Sequence, residues 1–431
     1  MKTYNSILLL FLGMLALVSC ENSQKQITKP EQYNQYLTIK GNESVDFAND
    51  EIVFWQTKYE KDTIQKSYLG ILASKYSTLF QYTGDIKDLY KSEDLLVKYN
   101  KAANYSKVGT LRALARNYIA QHRFKEALVL ANKAFSIGEG RKESQKLLFD
   151  VQMELGNYDQ ASTNLEAIKD MNDFDYLIRL AKWNDHLGDL DTAITFMEKA
   201  KTIAEKEDNK TLKIWSYSNL GDFYGHAGRI QDSYDSYLKT LALDPNYSYA
   251  LKGIAWIVFS HERNTVEAKR IIETLEKTHH TPDFLLIKSK IASFEGNTTD
   301  AQLYQAAYIE MLSEQNYGAM YNKYNVLLYA DAKATASKAL EIAKIEVDHR
   351  PTPDSYNLLA WSYLNKGDAK KALDIVEKHV VGKTHEPQAQ YHLAMIYKAN
   401  NKLDKIGAVK KELQGSIYEL GPEFESKINK L

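Results

Sequence analysis

The chain has 431 residues, of which 44% are hydrophobic and 26% charged, a composition typical of a soluble globular protein. Its formal net charge of -1 argues against a nucleic-acid partner, which would usually require a basic face. Length alone would suggest about three domains, but internal repeats favour one continuous array.

The amino end has the features of a secretory signal. A positive start is followed by an apolar run over 7–18, which is too short to span a bilayer comfortably. The tetrapeptide LVSC at 17–20 then places an apolar residue, a small residue and a cysteine directly after that run. This order resembles the lipobox of bacterial lipoproteins, in which signal peptidase cuts before the cysteine and lipid is attached to it. The resemblance implies a signal peptide over 1–19 and lipid attachment at Cys20, which is the only cysteine.

Lipid on Cys20 would hold the mature protein on a membrane without spanning it. Glu21 follows the cysteine. By resemblance to enterobacterial lipoproteins, in which aspartate there usually retains the protein in the inner membrane, we expect the outer membrane of the bacterial cell envelope. A plain signal peptide or an uncleaved anchor, with an incidental cysteine, is the alternative. Residues 20–49 are polar and are predicted to form a lipidated tether.

A helical hairpin is most evident over 217–245. Tyr217, Leu220 and Tyr224 recur at helical spacing, and Gly228 suits the left-handed cap that ends a helix. A second periodic run follows and stops at Pro245. Small residues inside both runs, Gly221 in the first and Ser233 in the second, predict that the two helices approach closely.

The hairpin resembles the tetratricopeptide repeat, whose signature combines an aromatic residue, Leu-Gly, Tyr, a small residue, an aromatic and a proline. The pattern recurs at spacings of 32 to 40 residues by subtraction, against a family period of about 34. The corresponding second-helix positions are Leu89, Ala127, Ala161, Ala193, Ser233, Ala268, Ala301, Ala336, Ala372 and Ile406. Glycines are expected in the turns at Gly84, Gly156, Gly188, Gly228, Gly296 and Gly367, with Asp331 and Asn401 as substitutes.

The resemblance implies an all-α fold, a TPR-type α-solenoid built as a right-handed superhelix of about ten helix-turn-helix repeats. We place this solenoid at 50–421 and a C-terminal capping segment at 422–431. Six of the seven prolines fall at boundaries between the proposed repeats, which supports the phase of the alignment.

No residue set predicts catalysis. The histidine pair His279-His280 precedes a proline and lacks an H-E-x-x-H spacing, and the chain contains no phosphate loop or nucleophile elbow. We therefore predict no enzyme activity, no metal and no cofactor.

A binding surface is the better candidate. In folds of the type resembled, first helices line the concave face of the superhelix. Counting from the small first-helix position of each repeat selects the candidate groove residues Arg112, Arg116, Lys182, Asp222, Trp256, Phe259, Tyr321, Asn325, Asn357, Trp361 and Tyr391. No repeat carries the paired Lys and Asn that would clamp a chaperone tail carboxylate.

The favoured function is a membrane-anchored lipoprotein that acts as a non-catalytic scaffold and binds a protein or peptide in its concave groove. The alternative is a glycan-binding outer-membrane lipoprotein of the starch-utilisation type found in Bacteroidetes, which stacks sugars on aromatic residues. Those proteins carry long insertions that this chain almost entirely lacks, and an enzyme is the weakest of the three hypotheses.

Overall fold

The computed structural model describes residues 26–38 and 41–431, and within these ranges the chain is helical and contains no strand. The predicted signal peptide, Cys20 and Glu21 lie outside the described residues. None of the described helices is both long and apolar enough to cross a bilayer.

The described helices are α1 Pro30–Leu37, α2 Glu43–Lys61, α3 Ser67–Thr83, α4 Ile86–Ala102, α5 Val108–Ala120, α6 Phe124–Ile137, α7 Arg141–Glu154, α8 Tyr158–Ala167, α9 Phe174–His186, α10 Leu190–Lys206, α11 Lys210–His226, α12 Ile230–Leu243, α13 Ser248–Trp256, α14 Thr265–Leu275, α15 Asp283–Phe294, α16 Thr298–Gln315, α17 Asn322–Ala330, α18 Ala336–His349, α19 Pro353–Asn365, α20 Ala369–His379, α21 Pro387–Ala399, α22 Ile406–Gly415, α23 Ile417–Leu420 and α24 Phe424–Asn429. A π-helical turn, Ile257–His261, extends α13, and a 3-10 turn, Leu403–Lys405, precedes α22.

Helices α3 to α22 pair as ten consecutive antiparallel hairpins, which we number repeats 1 to 10. The small second-helix residues are buried where the two helices of a hairpin meet, as shown by Ala127, Ala161 and Ser233, which are 0% exposed. The prediction of an all-α, TPR-type solenoid is therefore confirmed. Repeat 8 departs in detail. Tyr324 lies 12 positions before Ala336, as the small residue Gly221 lies before Ser233, yet Tyr324 is 43% exposed.

The turns inside the hairpins follow the predicted chemistry. All six predicted glycines have positive φ between 68° and 89°, a conformation that only glycine adopts without steric cost. Asn401 substitutes as predicted, with φ 56°. Asp331 does not, since its φ is -68°. In repeats 2 and 6 the left-handed residues are His122 and Arg263 instead.

The solenoid coils through more than one superhelical turn, and successive coils touch. The His280 amide donates to the Thr83 carbonyl at 2.5 Å, and Gly156 and Gly188 lie against Pro351 and His385. These three contacts join residues 195 to 197 positions apart by subtraction. The hairpin turns of the first coil therefore rest on the junctions between later repeats, and the concave side is enclosed between the coils.

The predicted tether over 20–49 is partly structured. Helix α1 packs across α12 and α14, where Tyr33 is 0% exposed and donates its hydroxyl to Glu267 at 2.5 Å. The Glu262 carboxylate accepts the Ile27 and Thr28 amides at 2.7 and 2.6 Å. The polar composition of the segment did not indicate this packing, because only one buried aromatic residue and a few hydrogen bonds to a distant repeat hold the segment in place.

Further helices flank the ten hairpins at both ends. Helix α2 begins at Glu43 rather than near 50 and packs on α3, with the Trp55 ring 5.5 Å from that of Tyr68. At the other end the capping segment contains α24, whose Phe424 and Ile428 are buried.

Candidate functional site

Three neighbouring cavities occupy the concave side of the coil. We name them by one lining residue each: the Tyr321 cavity of about 220 Å³, the Trp256 cavity of about 400 Å³ and the Glu154 cavity of about 480 Å³. The first two share Tyr249 and Lys252, and the last two share His226 and Glu419. The three cavities therefore adjoin one another, and we call this row of cavities the channel; each is of a size that holds small molecules or peptide side chains.

The Trp256 cavity lies at the centre of this channel. First helices of repeats 5 to 8 supply most of its wall, because their side chains point to the inside of the coil. Lys290 Nζ lies 5.2 Å from the centroid of the Trp256 ring. Burial inside the coil lowers the pKa of Lys290, although Glu423 opposes this effect. A cation over an aromatic face is an attractive electrostatic arrangement.

Asp222 is fixed in this wall by two tyrosines. Its carboxylate accepts the hydroxyls of Tyr237 and Tyr249, each at 2.6 Å. Burial raises the pKa of Asp222, while the two tyrosine hydroxyls act in the opposite direction. The Tyr237 ring reaches Asp222 by passing close to Gly221 and Gly253, where a Cβ atom would lie 2.4 Å from the ring.

The C-terminal end of the chain crosses the same wall. Ser260 Oγ and Trp256 Nε1 both donate to the carbonyl of Tyr418, at 2.6 and 3.0 Å. The Tyr418 ring lies against Gly225, where a Cβ would come within 2.8 Å of it. The predicted groove residue Trp256 therefore contacts a segment of its own chain.

An ion-paired cluster joins the two coils at the Glu154 cavity. Glu154 contacts Lys182 at 2.8 Å and Arg350 of the second coil at 3.1 Å. Burial opposes ionisation of Glu154, but these two cations hold its pKa below the ordinary value. The contact fixes the spacing of the coils beside the channel.

Carboxyl groups predominate on the channel wall. The Trp256 and Glu154 cavities together are lined by eight Asp and Glu residues but only five Lys and Arg residues. Asp185, Asp331 and Glu386 have no ion-pair partner within 4.0 Å among the described residues. Burial inside the coil raises the pKa of each of these three carboxyls. The channel wall thus carries carboxyl groups that are not ion-paired and with which an entering cation could pair.

Four of the eleven predicted groove residues line the channel: Lys182, Asp222, Trp256 and Tyr321. Tyr321 is only 7% exposed and bonds to Thr281 at 3.1 Å. It therefore contributes an edge of the wall rather than a free anchor.

In the first coil, Arg112 and Arg116 lie outside the three cavities. Arg112 donates to the carbonyl of Gly140 at 3.0 Å, in the loop between repeats 2 and 3. Arg116 is exposed elsewhere on the coil.

The other predicted groove residues are used in packing. Phe259 is 0% exposed, because the π-helical turn Ile257–His261 changes the register after Trp256 and directs it into the core. In repeat 8, Asn325 accepts the Tyr308 hydroxyl at 2.9 Å.

Repeats 9 and 10 are filled by their own side chains and by α24. Trp361 stacks on His392 at 4.0 Å, and Asn357 bonds the same imidazole at 3.2 Å. The Tyr391 ring meets Phe424 of α24 at 5.1 Å. The concave face is therefore closed in these repeats.

The sequence pattern did not identify several residues that line the channel. Arg350 and Tyr418 belong to an inter-repeat junction and the C-terminal segment, and no local pattern assigns them to the concave face. Among residues 26–38 and 41–431, no group of His, Cys, Asp and Glu side chains is arranged to hold a metal ion.

No family model and no curated protein matches the sequence. Three solved structures illustrate the similarity in fold. The human IFIT1 dimer with PPP-AAAA is 13% identical, with 73% of this chain and 71% of that chain covered and a TM-score of 0.46. Pseudomonas aeruginosa PilF is 15% identical, with 50% and 96% covered and a TM-score of 0.36. Yeast Tom70 is 13% identical, with 90% and 93% covered and a TM-score of 0.35. Such distant similarity indicates nothing about what this chain binds.

Proposed function

We propose that this protein is a non-catalytic scaffold that binds an extended segment of another protein in its interior channel. The observation that carries the proposal is the row of three adjoining cavities between the coils, with aromatic rings and unpaired carboxyl groups on its wall. Its linked cavities are too small for a folded domain but match the side chains of an extended chain.

The charge of the wall favours a particular kind of segment. Asp185, Asp331 and Glu386 line the channel without a paired cation within 4.0 Å among the described residues. A lysine or arginine entering the channel would supply that charge, and an aromatic wall also favours cations. We therefore propose a partner segment that carries basic side chains.

We also propose that lipid on Cys20 anchors the protein to the cell envelope, at the outer membrane. The support is the LVSC motif after an apolar run, together with a folded part that begins close behind it in the sequence. Cys20→Ser should move the protein from the detergent phase to the aqueous phase in a detergent partition and abolish incorporation of radiolabelled palmitate. Unchanged palmitate incorporation would contradict this assignment.

Binding in the channel can be tested with fluorescent peptides of equal length that contain either lysine and arginine or glutamate. Asp331→Asn combined with Glu386→Gln should weaken binding of the basic peptide by about tenfold, because two carboxyl groups that could pair with its cations are replaced by neutral amides. The matched control is Asp94→Asn combined with Glu207→Gln, which makes the same charge change at two exposed positions. Equal losses in both double variants would mean non-specific attraction and would refute the channel as the site.

The glycan-binding alternative has less support in the geometry. Trp256 lies near Lys290 on one side and Phe259 on another, and its Nε1 is bonded to Tyr418. An aromatic platform for sugar stacking needs a free face. Isothermal titration against a glycan panel should therefore give no heat of binding, and a sugar that binds would revive this hypothesis.

A further inference from the structure

The Tyr418 segment, residues 416–421, lies on the concave face in the way a bound peptide would. It consists of Ser416, the single helical turn α23 and Gly421, whose φ of 104° ends the turn. Beyond it, Phe424 and Ile428 are anchored separately in the core of repeats 8 to 10. The segment therefore lies between two helices, α22 and α24, which pack on the repeats through their own side chains.

The wall recognises this segment through its main chain. Trp256 Nε1 and Ser260 Oγ converge on the Tyr418 carbonyl at 3.0 and 2.6 Å. Lys290 Nζ reaches the Leu420 carbonyl at 3.4 Å. Hydrogen bonds to main-chain carbonyls do not depend on the side chains of the bound segment, so the same three donors suit any segment that adopts this turn.

Side-chain selectivity comes from a notch at Gly225. This glycine lies in the last turn of α11, where alanine would be the better helix former by up to about 1 kcal/mol. The three atoms nearest to a Cβ there all belong to the Tyr418 side chain, at 2.8 to 3.3 Å. The helix thus lacks a side chain at the point where an aromatic ring lies. Two residues on, Leu420 is 4% exposed in a hydrophobic cluster.

We propose that this place, the Tyr418 subsite, binds a partner segment with an aromatic residue two positions before an aliphatic one. The chain's own Tyr-Glu-Leu occupies it as an internal ligand until such a segment displaces it. The inference rests on the proposed function and adds a second recognition element to it. A tethered occupant has an effective concentration in the mM range for short linkers, so it suppresses binding of an external peptide strongly.

The test uses the full-length protein and a fluorescent peptide with the sequence of residues 414–422, QGSIYELGP. Tyr418→Ala removes the internal ring and should tighten peptide binding about tenfold or more over the wild type. Tyr418→Phe is the conservative control, because it keeps the ring and the carbonyl and should leave the subsite closed. A peptide with alanine in place of tyrosine should not bind any of the proteins.

Adding Gly225→Ala to Tyr418→Ala should abolish the gained binding, because the new methyl fills the notch. In the wild-type background, Gly225→Ala should speed amide exchange over 416–421 without changing helix content. The inference is overturned if Tyr418→Ala binds no more peptide than the wild type while its circular dichroism is unchanged. That outcome leaves the basic-peptide assay unaffected, so it is distinguishable from failure of the proposed function.

Discussion

Gly221→Ala should destabilise the solenoid, although alanine is the better helix former. Gly221 lies inside α11, and an added Cβ would be 2.4 Å from Cε1 of the buried Tyr237 ring. The ring is poorly placed to move away. Gly253 of α13 lies equally close to it, and the Tyr237 hydroxyl is bonded to Asp222 at 2.6 Å. The new methyl must therefore displace a ring that is held by two backbones and a carboxylate.

The expected size follows from three effects. Overpacking of a filled core costs about 1–3 kcal/mol, and we expect the upper part of that range because a 2.4 Å contact is untenable. The higher helix propensity of alanine stabilises the folded state by about 1 kcal/mol. The free energy of unfolding should thus fall by about 2 kcal/mol, and further if the bond to Asp222 is lost.

Urea denaturation followed by far-ultraviolet circular dichroism measures this change as a lower midpoint at equal slope. Gly109→Ala is the matched control, since nothing lies within 4 Å of its added Cβ, and its midpoint should equal or slightly exceed that of the wild type. Gly221→Ala should cost less in a Tyr237→Leu background, where the ring is absent. A Gly221→Ala midpoint at or above the wild-type value would refute the reasoning.

Three further predictions concern the docked segment, a buried imidazole and the coil contact. Tyr33→Ala should cost about 3–5 kcal/mol of docking energy and release the segment 26–38 to rapid amide exchange. Tyr33→Phe loses only the bond to Glu267 and should release it less. Burial lowers the pKa of His392 from 6.5 to about 3, so the folded protein keeps it neutral while the unfolded chain takes up a proton below pH 6.5. Stability in urea should therefore fall as pH decreases from 6.5, less so in His392→Gln. The lowered pKa of Glu154 means that its contact with Arg350 stabilises the coil above the ordinary carboxyl pKa and is lost as pH falls through the lowered value. Glu154→Gln should expand the radius of gyration in small-angle scattering at neutral pH.

Each of these predictions has a contradicting result. Unchanged exchange over 26–38 in Tyr33→Ala would mean that α1 is held by its other contacts. A His392→Gln variant with the same pH dependence as the wild type would place the responsible proton elsewhere. An unaltered radius of gyration in Glu154→Gln would mean that the remaining inter-coil contacts suffice.

The repeat could be predicted from the periodic sequence, because each hairpin buries its small residues against its own partner helix. The close contact of Ser233 with Gly221 is a local feature of this kind, and so are the glycines in the turns. Both could be predicted. Which first-helix residues face the concave side could also be predicted where the helix is regular. The prediction was wrong at Phe259, because hydrophobic spacing in the sequence does not reveal a π-helical turn.

The candidate site could be predicted only in part, because contacts between coils decide which concave residues remain open. Trp361 and Tyr391 have the spacing of groove residues, yet His392 and α24 cover them. Tyr33 meets Glu267 across 234 positions, and Glu154 meets Arg350 in the next coil. A repeat signature describes neighbours in the chain, and nothing in it specifies what lies one superhelical turn away.

Contact between coils also restricts how this array can change its length. An open solenoid can gain or lose a hairpin anywhere, since each unit touches only the next. Here, removing one hairpin from the middle would bring the Gly156 and Gly188 turns opposite the wrong junctions, because their partners lie 195 and 197 positions further on. Duplication and deletion, the usual routes by which repeat proteins diversify, should therefore be tolerated only at the ends.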